Sequence, residues 1–171
     1  MLIQSRLWRW HKTLRQRYYT WRVRRVAMRC GAGLRVNGPS RVTRTTCLGN
    51  NVNFNGMQIE GCGTVTIGDN FHSGSDCLMI SQVHNFDAGT AIPYDDAYIA
   101  KDIVIEDNVW LGSRVIILSG VRICEGAIIQ AGSCVVSDVP ACAIAGGHPA
   151  KVFKYRDCEH YEKLKSEGRF H

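Results

Sequence analysis

The sequence is poor in proline, with 4 in 171 residues, and no stretch approaches the roughly 18 uncharged apolar residues that crossing a bilayer takes. Its start, MLIQSRLWRWHK, lacks the unbroken apolar core of a secretory signal, which predicts a cytoplasmic protein. Its eight cysteines (Cys30, Cys47, Cys62, Cys77, Cys124, Cys134, Cys142 and Cys158) include no CxxC and no pairing with nearby histidines. That spacing argues against a disulfide framework and against a zinc site, leaving thiols that behave as small buried hydrophobes. Acid is missing altogether from residues 1–30, which hold nine of the 21 Lys and Arg. The other 12 meet 15 acids, so residues 31–171 carry a net −3 although the whole chain is +6. The basicity belongs to one segment, and with no supporting motif elsewhere no nucleic-acid partner is expected.

A repeat dominates what is present. From Ile105 an aliphatic residue returns at every sixth position, through Leu111, Ile117, Ile123 and Ile129 to Val135. Four places after each stands a second small or branched residue: Val109, Val115, Val121, Ala127, Ser133 and Val139. Turn formers such as Asp107-Asn108, Gly112-Ser113 and Ser119-Gly120 lie between. A strict period of six does not follow a helix of 3.6 residues per turn, and a long strand would be broken by its Gly and Asn. Short strands joined by tight corners and stacked as a solenoid satisfy the pattern.

The same phase holds at Ile67, Ser73 and Met79, and another run of six at Val36, Val42, Leu48 and Phe54. Thirteen residues separate Phe54 from Ile67, which predicts one inserted residue near Gln58–Gly63. Twenty-six separate Met79 from Ile105, and residues 85–103 fail the pattern, which predicts an excursion from the solenoid directly after His84. The expected organisation is a basic helical segment over 1–30, a β-helix domain over 31–145 with its loop at 85–103, and a C-terminal turn and helix over 146–171. The N-terminal helix is expected to be amphipathic, with Ile3, Leu7, Trp10, Leu14, Tyr18 and Trp21 on one stripe. The C-terminal helix is expected to cover the last open coil.

TVTIGDN (64–70), IEDNVWLGSRVIILSGV (105–121), AGSCVVSDVP (131–140) and GGHPAKV (146–152) carry a resemblance that runs from about residue 35 to residue 156. They resemble the hexapeptide-repeat acyltransferases, in the branch of maltose, galactoside and surface-polysaccharide O-acetyltransferases. The resemblance implies an all-β solenoid, a left-handed parallel β-helix with three sides and about eighteen residues per coil. It implies a homotrimer with acetyl-CoA as acyl donor in the cleft between subunits, and no metal. It further implies a sugar or lipid-linked saccharide acceptor, as in capsule, exopolysaccharide or O-antigen synthesis.

His84, in SQVHNFD at the end of a coil, is the candidate catalytic base. Acyl transfer to an alcohol needs a group to remove the hydroxyl proton, and imidazole, with an ordinary pKa of about 6.5, is neutral yet able to hold it. A lone histidine is more often a corner hydrogen-bonding residue; position, adjacent loop and resemblance together reverse that. The remaining histidines are read as structural or exposed. By resemblance Asn53 reaches the acceptor, although a turn residue would read alike. The relatives' acceptor-site carboxylate falls on Cys62 here, leaving Glu60 and the loop acids Asp87, Asp95 and Asp96 as alternatives. Trp110 matches a tryptophan near the CoA and acceptor cleft, and packing against a neighbouring subunit suits it too. Gly112, Ser113, Ala131 and Gly132 match backbone positions along the pantetheine arm, where small residues permit close approach; tight corners alone would also require them. Lys151 and Lys154 fall where the relatives carry cations near the adenosine phosphates, whereas Val136 and Ser137 replace a Thr and a Lys found in some of them.

The aromatic and arginine-rich stretch of residues 1–25 reads equally as a helix lying on the inner face of the cytoplasmic membrane or as one packed on the solenoid. N-acetylation of an amino sugar and a non-catalytic trimeric scaffold are the competing functions. A zinc hydratase is disfavoured, because His72 and His84 are twelve residues apart and fall on different sides of an eighteen-residue coil.

Overall fold

The period of six becomes one side of a three-sided parallel β-helix in the computed structural model, which describes residues 2–171, with side chains from Trp10 onward. Helix α1 (Leu2–Val26) leads into the first coil, formed by β1 (Arg29–Cys30), β2 (Arg35–Val36) and β3 (Ser40–Arg41). The second coil is β4 (Thr46–Leu48), β5 (Asn53–Phe54) and β6 (Met57–Glu60), and the third β7 (Val65–Ile67), β8 (His72–Ser73) and β9 (Cys77–Ile80). A hairpin, β10 (Gln82–His84) and β11 (Tyr98–Ala100), interrupts the winding. The fourth coil is β12 (Ile103–Ile105), β13 (Trp110–Leu111) and β14 (Ile116–Ile117); the fifth is β15 (Arg122–Ile123), β16 (Ile128–Ile129) and β17 (Cys134–Val135). A last partial coil bridges Val139 to Ile123, then runs through β18 (Ala143–Gly147), β19 (Ala150–Tyr155) and helix α2 (Cys158–Ser166).

Each side is one parallel sheet. The first face is β1-β4-β7-β12-β15, the second β2-β5-β8-β13-β16-β18 with β19 antiparallel at its end, and the third β3-β6-β9-β14-β17. Inside, the residues of the repeat stack in columns: Leu48, Ile67, Ile105 and Ile123 on the first face, Val36, Phe54, Leu111 and Ile129 on the second, and Ile59, Met79, Ile117 and Val135 on the third, all buried. Each contributes about 1.5–3 kcal/mol by leaving water, so the column is the stabilising element of a fold whose strands through β17 are only two to four residues long.

The corners explain the turn formers. Between the first and second faces each coil places one residue in the left-handed region: Gly33, Asn51, Asn70, Asn108, Gly126 and Cys142, with φ of 72°, 52°, 55°, 60°, 69° and 57°. Asparagine is the side chain that accepts this conformation most readily after glycine, and here it repays the strain. Asn51 Nδ2 donates to Asn70 Oδ1 and Asn70 Nδ2 to Asn108 Oδ1, both at 3.0 Å, forming a ladder down the edge. Beside it, Asp107 Oδ1 accepts from the Asp69 amide and Asp69 Oδ1 from the Asn50 amide, both at 2.7 Å. The backbone bond from Asn50 holds the Asp69 carboxyl below the usual carboxylate range.

The single inserted residue near Gln58–Gly63 resolves into two changes. Ile59 pairs with Met79, so the corner after Phe54 is one residue short and the corner before Ile67 two residues long. The long corner, Glu60–Thr64, is held by Ser81, whose Oγ donates to the Glu60 and Gly63 carbonyls at 2.9 and 3.1 Å.

The excursion leaves from the edge between the third and first faces. His84 pairs with Tyr98 and Gln82 with Ala100, so the ladder closing the loop begins before residue 85. Asp95 organises the interior, accepting from the amides of Ala97 (3.0 Å) and Thr90 (3.2 Å) and from Asn85 Nδ2 (3.4 Å). Phe86, Ile92, Tyr94, Tyr98 and Ile99 remain exposed on it.

Both ends differ from expectation. On α1 the residues that meet the solenoid are Gln16, Tyr19, Thr20 and Val23, with Ala27 just after it; Thr20 Oγ1 accepts from the Val36 amide at 3.0 Å and Gln16 Nε2 donates to Asn37 at 2.6 Å. The stripe of Trp10, Leu14, Tyr18 and Trp21 stays exposed, and the side chains of Ile3 and Leu7 lie outside the described residues. At the other end β19, in a stretch expected as a turn, covers the last strand of the second face, and α2 runs back along the flank instead of lying over the final coil. Its Tyr161 is buried against that flank, where its hydroxyl donates to Glu125 (2.8 Å) and accepts from Asn108 (2.9 Å). Burial raises the Tyr161 phenol, with Glu125 adding to the effect.

Candidate active site

The outer surface of the second face is a row set by register: Asn53, His72, Trp110, Ile128, Ile144 and Lys154 pair in succession, so their side chains stand on one side of the sheet. Trp110 is 50% exposed, so its indole offers an apolar face and an N–H donor at the surface. Between this row and α2 lies a cavity of about 450 Å³ lined by Asn53, His72, Trp110, the asparagine ladder, Arg156, Lys165 and the C-terminal residues. Asn53 Oδ1 accepts from Asn37 Nδ2 at 2.9 Å, so its amide is aimed and not merely a turn device.

His72, set aside on the sequence as structural or exposed, belongs to this cavity. Asn55 Nδ2 donates to the Ser73 carbonyl at 2.8 Å and approaches His72 Nε2 at 3.3 Å, which makes Nε2 an acceptor and leaves the ring proton on Nδ1. Burial, with His171 beside it, lowers the His72 pKa and favours that neutral form. Its sequence signal was the register, since residue 72 falls one coil after Asn53 and one excursion before Trp110.

The small residues form the edge between the second and third faces. A Cβ on Gly112 would stand 2.5 Å from the Ala131 amide nitrogen, so the next coil alone demands glycine there. Gly112→Ala is expected to destabilise the fold by about 1–3 kcal/mol, read as a lowered denaturation midpoint. Gly132 is different: its φ is +73°, and a Cβ would meet nothing within 4 Å. Ala131 and Gly132 are exposed, and Ser113 is half-buried, its Oγ accepting from the Ser75 amide at 3.2 Å. Lys151 and Lys154 stand exposed on β19 at the end of the same face.

His84 lies elsewhere. Its ring stacks on Tyr94 at 3.7 Å between centroids and lies against Tyr98 at 4.4 Å. Its Nδ1 is buried without a hydrogen-bond partner. Glu60, on the outer surface of β6 beside Ile80, lies at the same third–first edge, its carboxylate accepting from Gln58 Nε2. Asp87 is exposed in the loop. That edge is the one opposite the second face. The expected site residues therefore fall into two groups: His84, Glu60 and Asp87 at the third–first edge, and Asn53, Trp110 and the lysines on the second face opposite it, with the small-residue edge bordering that face.

The eight cysteines are free thiols; Cys77, Cys134 and Cys142 are buried, whereas Cys62 and Cys158 are exposed. Among the described residues, no helix is long and apolar enough to cross a membrane.

Residues 102–137 match the family model for the bacterial transferase hexapeptide, six repeats. The match coincides with the fourth and fifth coils, where the period of six is unbroken. Over these two coils the chain carries the hexapeptide repeat of that family. Among solved structures, this hexapeptide-repeat chain is 29% identical to a hexapeptide-repeat acetyltransferase of Vibrio cholerae O1 biovar eltor complexed with acetyl-CoA, over 77% of this chain and 73% of that one, with a TM-score of 0.68. It is also 29% identical to a galactoside acetyltransferase in complex with coenzyme A, over 77% and 67%, TM-score 0.67. A maltose O-acetyltransferase of Clostridium difficile 630 is 26% identical over 79% and 73%, TM-score 0.71. A curated relative, 2,3,4,5-tetrahydropyridine-2,6-dicarboxylate N-acetyltransferase of Staphylococcus aureus (strain MRSA252), is 40% identical over 89 residues, 52% of this chain. The chain spans about a third of that relative's length, the matched share being 32%.

Proposed function

We propose that this hexapeptide-repeat protein transfers the acetyl group of acetyl-CoA to a hydroxyl of a saccharide, as a homotrimer. The observation that carries the reading is the separation of the two groups of site residues. A base on one edge and an acceptor and donor surface on the opposite face make no site in one chain. They make three if each chain lays its excursion against the second face of a neighbour, which also covers Tyr94, Tyr98 and Ile99 and the exposed indole of Trp110.

In that arrangement the acceptor hydroxyl lies between His84 and the row of Asn53 and Trp110. Nε2 of His84 takes the hydroxyl proton as the oxygen bonds to the thioester carbonyl carbon. The carbon–sulfur bond then breaks, and the imidazolium returns the proton to the departing thiolate, so the base ends as it began. The open direction at Gly132 suits a pantetheine arm, and Lys151 and Lys154 suit the phosphates. Asparagine amides around an indole are the chemistry of sugar recognition: directional donors and acceptors beside an apolar platform. This favours a hydroxyl acceptor over the amine acceptor of the Staphylococcus aureus relative. A lipid-linked saccharide of a surface polysaccharide, reached through peripheral contact of residues 1–25 with the inner membrane face, completes the reading. Of those residues, the side chains before Trp10 lie outside the described residues.

Calorimetric titration with acetyl-CoA should give saturable binding near one site per chain, weakened several-fold by Gly132→Ala or by removing Lys151 and Lys154. A folded trimer that does not bind acetyl-CoA would defeat the reading and leave a non-catalytic scaffold.

A further inference from the structure

We infer that the outward face of α1 docks on an anionic lipid surface. The helix is not amphipathic in the ordinary sense, because it has apolar residues on two opposite sides. Gln16, Tyr19, Thr20 and Val23 take one side and, with Ala27 just after the helix, hold the first coil. On a wheel of 100° per residue, Trp10, Leu14, Tyr18 and Trp21 centre about 160° away. All four are exposed, from 43% at Leu14 to 60% at Trp10. The solenoid therefore cannot be what this stripe is for.

Charge flanks the stripe on both sides. Arg17 and Arg24 border it on one, and Arg22 and Arg15 on the other, with Arg25 closing its C-terminal end, all exposed. Arg22 lies over the Tyr18 ring at 5.8 Å and Arg25 over Trp21 at 5.3 Å, so the cations sit at the level of the aromatic rings. No acid occurs in residues 1–30 to neutralise them. An apolar centreline about 16 Å long between two rows of arginine fits a helix lying in the plane of a bilayer. The rings sink to the acyl boundary and the guanidinium groups stay among phosphates. A nucleic acid would use the charge but leave Leu14 and the indoles without a role. A protein partner would need a continuous acidic surface around an apolar groove. The remaining chain, net −3, is repelled by the same lipids, so only the α1 end can approach.

Docking would hold the first coil at the membrane with the solenoid axis pointing away, and it deepens the reading of a lipid-linked acceptor. The contact itself needs neither acetyl-CoA nor the acceptor. Failure to bind lipid and failure to bind acetyl-CoA are thus separate results.

The full chain should sediment with sucrose-loaded phosphatidylcholine vesicles containing about 30% phosphatidylglycerol, and not with phosphatidylcholine alone, with binding falling steeply as salt is raised. Arg17→Glu with Arg25→Glu should weaken binding at least tenfold, at about fivefold per charge. Trp10→Ser with Trp21→Ser should weaken it comparably while thermal unfolding stays unchanged, since neither ring touches the core. Equal binding to both vesicles, no binding at low salt, or binding unaffected by either double variant would overturn the proposal. Dissociation of the trimer by those variants, with no vesicle binding by the native chain, would give this face to a second copy instead.

Discussion

Replacing His84 with alanine is expected to lower turnover by about two to four orders of magnitude while leaving acetyl-CoA affinity and thermal unfolding unchanged. The three readouts separate because of where the ring lies. It sits in a hairpin outside the buried columns, stacked on Tyr94 and against Tyr98, both themselves exposed, so its removal opens no cavity in the core. It is also at the third–first edge, away from the lysines at the end of the second face and from the second–third edge that carries Gly132, so the proposed donor surface of its own chain is untouched. In the proposed reaction what is lost is the group that takes the hydroxyl proton as the oxygen attacks, and without it a neutral alcohol must expel a thiolate unaided. His84→Gln keeps a polar side chain of similar reach but no basic nitrogen, and should be as slow as alanine. Turnover near that of the native chain in either variant would assign the proton to another group. A joint loss of turnover and unfolding temperature would make His84 a structural residue of the loop.

The architecture was legible in the sequence because a period of six is a geometric signature: six consecutive aliphatic returns from Ile105 leave a stacked coil as the only regular structure that buries them all. Breaks in the period were legible for the same reason. The gap after Met79 located the excursion, and the thirteen residues from Phe54 to Ile67 located the irregular corner. What a count of residues could not resolve was how that irregularity divides, because a shortened corner and a lengthened one sum to a single insertion. Spacing also misjudged α1. The apolar stripe with the larger side chains was the visible one, whereas the solenoid is held by Thr20 and Gln16 through hydrogen bonds that no hydrophobic pattern records.

The candidate site was legible residue by residue but not as an assembly. His84, Asn53 and Trp110 were recognisable from their motifs, yet only the winding reveals that they face opposite ways. His72 was missed because its neighbours in sequence, Phe71 and Ser73, read as ordinary wall positions. Its place in the cavity follows only from the ladder that sets it between Asn53 and Trp110. The asparagine ladder was passed over likewise. Asn51, Asn70 and Asn108 each look like a corner residue, and their spacings become one column only when the excursion is subtracted.

That opposition yields the second large effect. His84→Ala and Trp110→Ala chains, each purified alone, should be nearly inactive; dissociated, mixed in equal amounts and reassembled, they should regain about a quarter of native activity. The fraction follows from a heterologous ring, in which each site takes its base from one subunit and its indole from the next. A site is intact only when the first subunit is a Trp110→Ala chain and the second a His84→Ala chain, and random assembly satisfies both conditions about one time in four. If base and indole came from the same chain, every site in every mixture would carry one substitution, and mixing would give only the mean of the two parents. Trp110 suits the experiment because its side chain is half exposed in the isolated chain, so alanine there removes a binding surface and not a piece of the core. Activity above the parental mean would fix the catalytic unit as the interface between chains. Activity at the mean would require the excursion to fold back around its own solenoid, a path that the pairing of β10 with β11 at the third–first edge does not provide.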